Sequence, residues 1–226
     1  MARNKYNFSI DILNEWNSAL AWLLGWTITD GCVEKKTRYV VSWMLKDREP
    51  LEIIQQLFKT NKPIEEVYKT DKKTREKRKY YRLRLCGKQV TQKFIELGIN
   101  PNKTFTTRFP PIPKELIWHF LRGVMEGDGT ITIRSGGDFN KEDYIRLTVE
   151  IASSTEVFPK QILEVVGYGR YTPNYAEEGH KSHRASFDCS YAVKFLNVIY
   201  ENSEGLRLTR KYEQWQAFLK TGKTYR

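Results

Sequence analysis

Two stretches of the chain carry apolar residues on nearly every side, and each ends in Asp-Gly. The first is Leu23-Leu24-Gly25-Trp26-Thr27-Ile28-Thr29-Asp30-Gly31; the second is Leu121-Arg122-Gly123-Val124-Met125-Glu126-Gly127-Asp128-Gly129. In both, a Gly stands five positions before the Asp, and apolar residues fill most of the preceding turns (Leu20, Trp22; Leu116, Ile117, Phe120). Each stretch reads as a helix whose last turn delivers one carboxylate, with the following Gly as a stop signal. The spacing predicts these helices over about 17–29 and 114–127, the first capped by Asn17 or Ser18.

Between and after these helices the period changes from helical to alternating. Strands are expected at 32–36 and 39–46, where Tyr39, Val41, Trp43 and Leu45 share one face and Arg38, Ser42 and Lys46 the other. Asp47 is a candidate cap for a helix through Phe58. A second strand pair follows at 64–69 and 79–86, with Tyr81, Leu83 and Leu85 opposite Tyr80, Arg82 and Arg84, and then a helix at 88–97. The prolines at 101, 110, 111 and 113 mark a connection. After it the same order recurs: strands at 130–134 and 143–151, a helix from Ser153 or Ser154 through Val166, strands at 168–172 and 182–189, a helix at 191–200, and a last helix at 208–219. The two motif Asps are 98 residues apart. This is a tandem duplication of an αββαββα unit in the α+β class: a first repeat at 1–98, a connection at 99–113 and a second repeat at 114–226. Two long copies are too few for a solenoid, so a pseudo-two-fold pair is expected.

Charge narrows the class of partner. The 226 residues hold 38 Lys and Arg against 27 Asp and Glu, a net charge of +11. A surface of that sign attracts polyanions. The 40% hydrophobic content argues against disorder. No long apolar run and no signal-like leader are seen, so a cytoplasmic or organellar protein that is neither membrane-bound nor secreted is expected. Cys32, Cys86 and Cys189 are odd in number and far apart, which supports neither a disulfide framework nor a zinc ribbon. His180 and His183 lack a fourth zinc ligand and read as exposed histidines.

Gly25 and Gly123 lie mid-helix, where Gly costs about 1 kcal/mol relative to Ala. Close helix–helix approach is a compensating reason. Pairing the two motif helices in parallel brings Asp30 and Asp128 side by side, and two such carboxylates repel unless a cation lies between them. Hard oxygen ligands without a His or Cys cluster favour Mg²⁺. Paired metal sites of this kind stabilise the attacking and leaving oxygens of a phosphodiester displacement.

At this point the chain resembles the LAGLIDADG homing endonucleases in their single-chain, two-repeat form, over about Trp16 to Leu219. The second motif, LRGVMEGDG, is a close match; the first, LLGWTITDG, keeps the Gly and the final Asp-Gly but carries Ile28 where the family has an acid. The resemblance implies that Asp30 and Asp128 are metal-binding acids, with Thr29 and Gly127 beside them in the ligand set, each half helping to cut one strand. It implies two or more Mg²⁺ ions, replaceable by Mn²⁺, with Ca²⁺ supporting binding without cleavage. It also implies a basic residue near each scissile phosphate: Lys103 in the first half and Lys211 in the second, with Arg210 and Lys46 as rivals.

The partner would be double-stranded DNA, bound by a monomer across a saddle of two antiparallel sheets. The open faces would supply Arg38, Ser42, Lys46, Arg82 and Arg84 from the first half. The second would supply Thr130, Thr132, Arg134, Arg146, Thr148, Glu150, Arg170, Arg184, Ser186 and Asp188. Arg suits guanine and phosphate, while Asp188 and Glu150 suit cytosine. A strand of about 9 residues spans roughly nine base pairs, so an asymmetric site of about 20 bp is expected. The alternative is a non-cleaving binder of the same fold, an RNA maturase or a repressor. An intein nuclease domain is disfavoured because splicing segments are not seen.

Overall fold

The structure, a computed structural model, describes residues 6–71, 74–102, 106–136, 144–175, 181–203 and 205–221. The first repeat runs α1 (Ser18–Thr29), β1 (Gly31–Glu34), β2 (Val40–Leu45), α2 (Glu49–Leu57), β3 (Glu65–Thr70), β4 (Lys77–Cys86) and α3 (Lys88–Glu96). The second runs α4 (Ile117–Asp128), β5 (Gly129–Gly136), β6 (Tyr144–Ser153), α5 (Val157–Val166), β7 (Arg170–Tyr175), β8 (Lys181–Asp188) and α6 (Ser190–Tyr200), followed by α7 (Thr209–Lys220). Each repeat folds its strands into one antiparallel sheet, in the orders β1-β2-β4-β3 and β5-β6-β8-β7. This is the duplicated αββαββα architecture that the alternating and helical periods predict.

The two motif helices hold the repeats together. Along α1 every residue from Leu20 to Ile28 is buried, so the helix has no solvent face. It lies against α4, buried from Phe120 to Glu126. The contact is backbone to backbone. A Cβ on Gly25 would stand 2.3 Å from Phe120 O and 2.7 Å from Val124 N; one on Gly123 would stand 2.3 Å from Trp22 O and 3.1 Å from Trp26 N. The missing side chains therefore set the interhelical distance. Asn17 caps α1, its Oδ1 accepting from the Leu20 amide at 2.9 Å, as its residue type and position predict.

Each sheet lays one face on helices. In the first repeat Val41, Trp43, Leu45, Leu83 and Leu85 are buried, and Trp43 packs its ring 6.0 Å from Phe58 and 5.9 Å from Phe94. In the second, Leu147, Val149, Ile151, Ala185 and Phe187 are buried, with Phe187 stacked on Phe195 at 4.4 Å. Phe109, from the connection, packs 4.8 Å from Phe120.

Helix starts are where the structure departs from expectation. Asp47 does not cap α2: that helix begins at Glu49 with no side-chain cap, and Pro50 in its first turn removes one amide that would need a partner. Neither Ser153 nor Ser154 caps α5, which begins at Val157; Ser153 Oγ instead accepts from the Thr155 amide at 3.1 Å. Residues Lys114–Leu116 form a 3₁₀ turn before α4. His183 is buried rather than exposed, its Nδ1 2.6 Å from Tyr171 Oη. His180 lies outside the described residues. None of the three cysteines is in a disulfide, and no helix among the described residues is long and apolar enough to cross a membrane.

Gly25→Ala and Gly123→Ala should each cost about 3 kcal/mol or more, because the atoms they meet are backbone and cannot move aside. Gly87→Ala, whose Cβ would meet only ordinary contacts at 3.6 Å and beyond, is the control. Denaturant unfolding reads both; equal midpoints for the three variants would contradict the backbone-contact account.

Candidate functional site

The C-terminal ends of α1 and α4 converge beside a cleft of about 450 Å³ whose walls include Trp26, Asp30, Lys46, Asp47, Glu126, Gly127, Thr130, Arg210 and Lys211. Asp30 caps α1 and Asp128 ends α4; both are exposed. Thr29 and Asp30 reach across to the other repeat. A Cβ on Gly127 would overlap Thr29 Oγ1 and fall 3.3 Å from Asp30 Oδ2. Asp30 thus lies against the last turn of the helix that ends in Asp128. Two carboxylates and two helix C-termini concentrate negative potential there. Among the described residues no group of three or more His, Cys, Asp or Glu gathers, so any cation would rest on carboxylates, carbonyls and water. That all-oxygen donor set fits a hard divalent ion.

A positive charge is built into the floor. Lys211 is 5% exposed, and its ammonium donates to the carbonyls of Met125 at 2.8 Å, Glu126 at 2.7 Å and Gly129 at 2.5 Å. All three N–H groups are used. Lys211 therefore closes the end of α4 and acts on its surroundings through charge. Burial, with the nearby Arg210 charge, lowers its pKa to about 8 against the pull of Glu126, Asp30 and Asp128. Arg210 holds Asp47 through Nε at 3.0 and 2.9 Å and Nη2 at 2.8 Å. The Lys46 ammonium is exposed in the cleft and takes part in no hydrogen bond or ion pair among the described residues. Lys103 lies outside the described residues.

Beside Lys211 sits Glu126, 1% exposed. Its Oε2 accepts from Trp22 Nε1 of the other repeat at 2.8 Å, and its Oε1 from the Leu208 amide at 2.9 Å. Burial raises its pKa to about 7, against those hydrogen bonds and the charges of Arg122 and Lys211. Arg122, also buried, donates to the Leu206 and Ile199 carbonyls at 2.7 and 3.0 Å. Glu126 and Arg122 were not among the sequence candidates for the site. A charged pair inside an otherwise apolar helix was their signal. The first repeat has Ile28 and Leu24 at these positions, so the network has no twin.

Acids on the open sheet faces already hold several of the arginines there. On the first, Ser42 is in register with Arg84, and Met44 with Arg82. Glu65 accepts from Arg82 at 2.8 and 3.1 Å and from Arg84 at 3.1 Å, with the Lys62 ammonium 3.3 Å away. Burial alone would raise the Glu65 carboxyl, but those three partners hold its pKa near 2. Arg38 is exposed in the turn before β2, not on the sheet. On the second face Thr130, Glu150, Ser186 and Arg170 form one row; Thr132, Thr148 and Asp188 form the next; Arg134 faces Arg146. Asp188 accepts from Thr148 at 2.8 Å and Arg170 at 3.2 Å, and lies 3.6 Å from Arg146. Glu150 lies 3.4 Å from both Arg184 and Ser186. Both acids thus hold arginines in place instead of standing open as acceptors for a base. Ser186, 2% exposed, is withdrawn from the surface.

The buried pair predicts a pH profile. Glu126 is raised from its ordinary 4.5, so its contribution to stability is full below about pH 4.5 and is lost as pH rises through about 7. Lys211 is lowered from 10.5, so its contribution is full above that pH and is lost as pH falls through about 8. Stability from this pair should therefore be lowest between pH 7 and 8. Glu126→Gln should remove the acid limb, on the order of a few kcal/mol. Urea unfolding at several pH values checks this; superimposable profiles for variant and parent would refute it.

Residues 17–97 match the model of the LAGLIDADG-like domain family. No curated protein matches the sequence. Solved structures match along nearly the whole chain at low identity. The meganuclease I-SmaMI bound to uncleaveable DNA is 13% identical with a TM-score of 0.58, covering 88% of each chain. The LAGLIDADG meganuclease I-AabMI bound to uncleaved DNA is 12% identical with a TM-score of 0.57, covering 93% of this chain and 94% of that one. The N-terminal LAGLIDADG domain of DUF199/WhiA is 15% identical with a TM-score of 0.50, covering 84% and 86%. At such identity the likeness is one of fold. The match over residues 17–97 is to a LAGLIDADG-like domain, and the chain as a whole shares the two-repeat fold of the LAGLIDADG meganucleases it resembles.

Proposed function

We propose that this chain is a sequence-specific, divalent-metal-dependent endonuclease that cuts double-stranded DNA at a long asymmetric site. The observation that carries the reading is the pair of exposed carboxylates, Asp30 and Asp128, at the converging ends of α1 and α4. The fold is shared with enzymes solved on target DNA, such as I-LtrWI. A net charge of +11 and arginine-bearing open sheet faces suit a polyanion.

The longest strand of each open face, β4 or β6, has 10 residues, roughly 33 Å of strand. That spans roughly ten base pairs per half, for a site of about 20 bp. The two faces differ in charge pattern, so the site is asymmetric. Glu65 and Asp188 hold their arginines at fixed positions, which limits the entropy lost when a phosphate or guanine edge is contacted.

In the reaction a water oxygen attacks phosphorus, the P–O3′ bond breaks, and a 5′-phosphate and a 3′-hydroxyl remain. Asp30 and Asp128, with Thr29 and Gly127 beside them, would hold two or more Mg²⁺ ions, replaceable by Mn²⁺. Such ions supply Lewis-acid stabilisation of the attacking and leaving oxygens. Lys211 adds a fixed positive charge beneath the carboxylates without touching the phosphate. Lys46 is the ammonium able to meet the phosphate directly. The resemblance gives Lys103 the basic role at the other phosphate.

A non-cleaving nucleic-acid binder of this fold is the competing reading. It needs neither motif carboxylate, and the presence of both in matched positions favours the nuclease. Selection of cleaved sites from a randomised duplex library in Mg²⁺ should return one asymmetric site of about 20 bp. On that site Asp30→Asn and Asp128→Asn should each lower cleavage at least about a hundredfold, while binding in Ca²⁺ survives. Binding without any cleavage by the unaltered chain would establish the competing reading instead.

A further inference from the structure

The start of α7 belongs to the second repeat in sequence but is fastened to the first repeat in space. Glu49, the first residue of α2, accepts from the Thr209 amide at 3.0 Å and from the Thr209 hydroxyl. Thr209 opens α7, whose N-cap, Leu208, has no side chain able to cap. Glu49 thus satisfies an otherwise orphaned helix amide from the opposite repeat and places an acid at the positive end of the helix dipole. One residue further on, Arg210 grips Asp47 through the Nε–Nη2 edge of its guanidinium. The next residue is Lys211, whose ammonium closes the end of α4.

The counterpart on the other side is neutral. Asp47 lies four residues past Trp43, the partner of Gly31, and Thr155 lies four past Ile151, the partner of Gly129. Thr155 Oγ1 donates to the Thr107 carbonyl at 3.1 Å, and Gln161 Oε1 accepts from the Phe109 amide at 2.9 Å. Each repeat's outgoing segment therefore crosses to the β–α corner of the other repeat. One crossing is held by charge and the other by neutral hydrogen bonds.

We infer that Asp47 and Glu49 are positioning residues for one of the two strand cuts: through Arg210 and Thr209 they fix where Lys211 sits beneath the carboxylates. The inference rests on the nuclease reading for its catalytic half. The Arg210–Asp47 pair is partly exposed, 56% and 28%, so it contributes little to global stability. Its effect is registry of α7.

The test uses the full chain and the variants Asp47→Asn/Glu49→Gln and Asp47→Arg/Arg210→Asp. Without DNA, the side-chain NMR signal of Lys211 should move toward that of a solvated lysine in the first variant. Amide exchange in the first turn of α7 should quicken about tenfold there. The charge-swapped variant should keep both near the parent values. On the duplex recovered from the library, with each strand end-labelled and saturating enzyme in Mg²⁺, the first variant should cut one strand about five- to tenfold more slowly. The other strand should stay within about twofold and Ca²⁺ binding should be unchanged. An unmoved Lys211 signal overturns the inference, as does equal slowing of both strands with a lowered unfolding midpoint. If the parent chain cuts no duplex, the nuclease reading fails, and the Lys211 signal still decides whether the clasp sets that side chain.

Discussion

The contact between two glycines is the constraint on which the rest depends. Gly25 and Gly123 let α1 and α4 touch through their backbones. Every functional distance is measured from that crossing: five residues further along each helix stands an acid, and the acids can converge only if the helices do. A larger side chain at either position would separate the helix ends and, with them, the cleft walls. The same closeness buries Trp22 against Glu126, so a polar bond of 2.8 Å links the repeats inside an apolar seam.

Much of this was legible in the sequence because it is periodic. The alternation of Val41, Trp43 and Leu45, and of Leu147, Val149 and Ile151, named the buried faces. The paired Asp-Gly steps named the acids and the duplication. What was not legible depends on partners distant in sequence. Asp47 has the residue type of a cap, yet it lies within reach of Arg210, and a bidentate ion pair outcompetes a local amide. Ser186 alternates correctly for the open face, yet β7 and Glu150 close over it. Lys211 reads as a surface lysine; only the fold brings three carbonyls around it.

The open faces show how charge is managed before any ligand arrives. One carboxylate, Glu65, serves three cations, and Asp188 serves two arginines and a threonine. Unscreened, these arginines would repel one another along the strands. The acids relieve that repulsion and leave the cations displayed. Affinity for a polyanion then comes from the cations that remain in excess, and orientation from the acids that hold them.

The seam between the halves is chemically lopsided, and this bears on how the chain could be rearranged. Two copies of the first half joined to each other would set Thr29 against Thr29 where Thr29 now meets Gly127. Two copies of the second would set Glu126 against Phe120, the positional equivalent of Trp22, and so leave a buried carboxylate without its indole donor. Neither half is self-complementary. The covalent tandem therefore joins two halves whose facing surfaces match each other better than they match themselves.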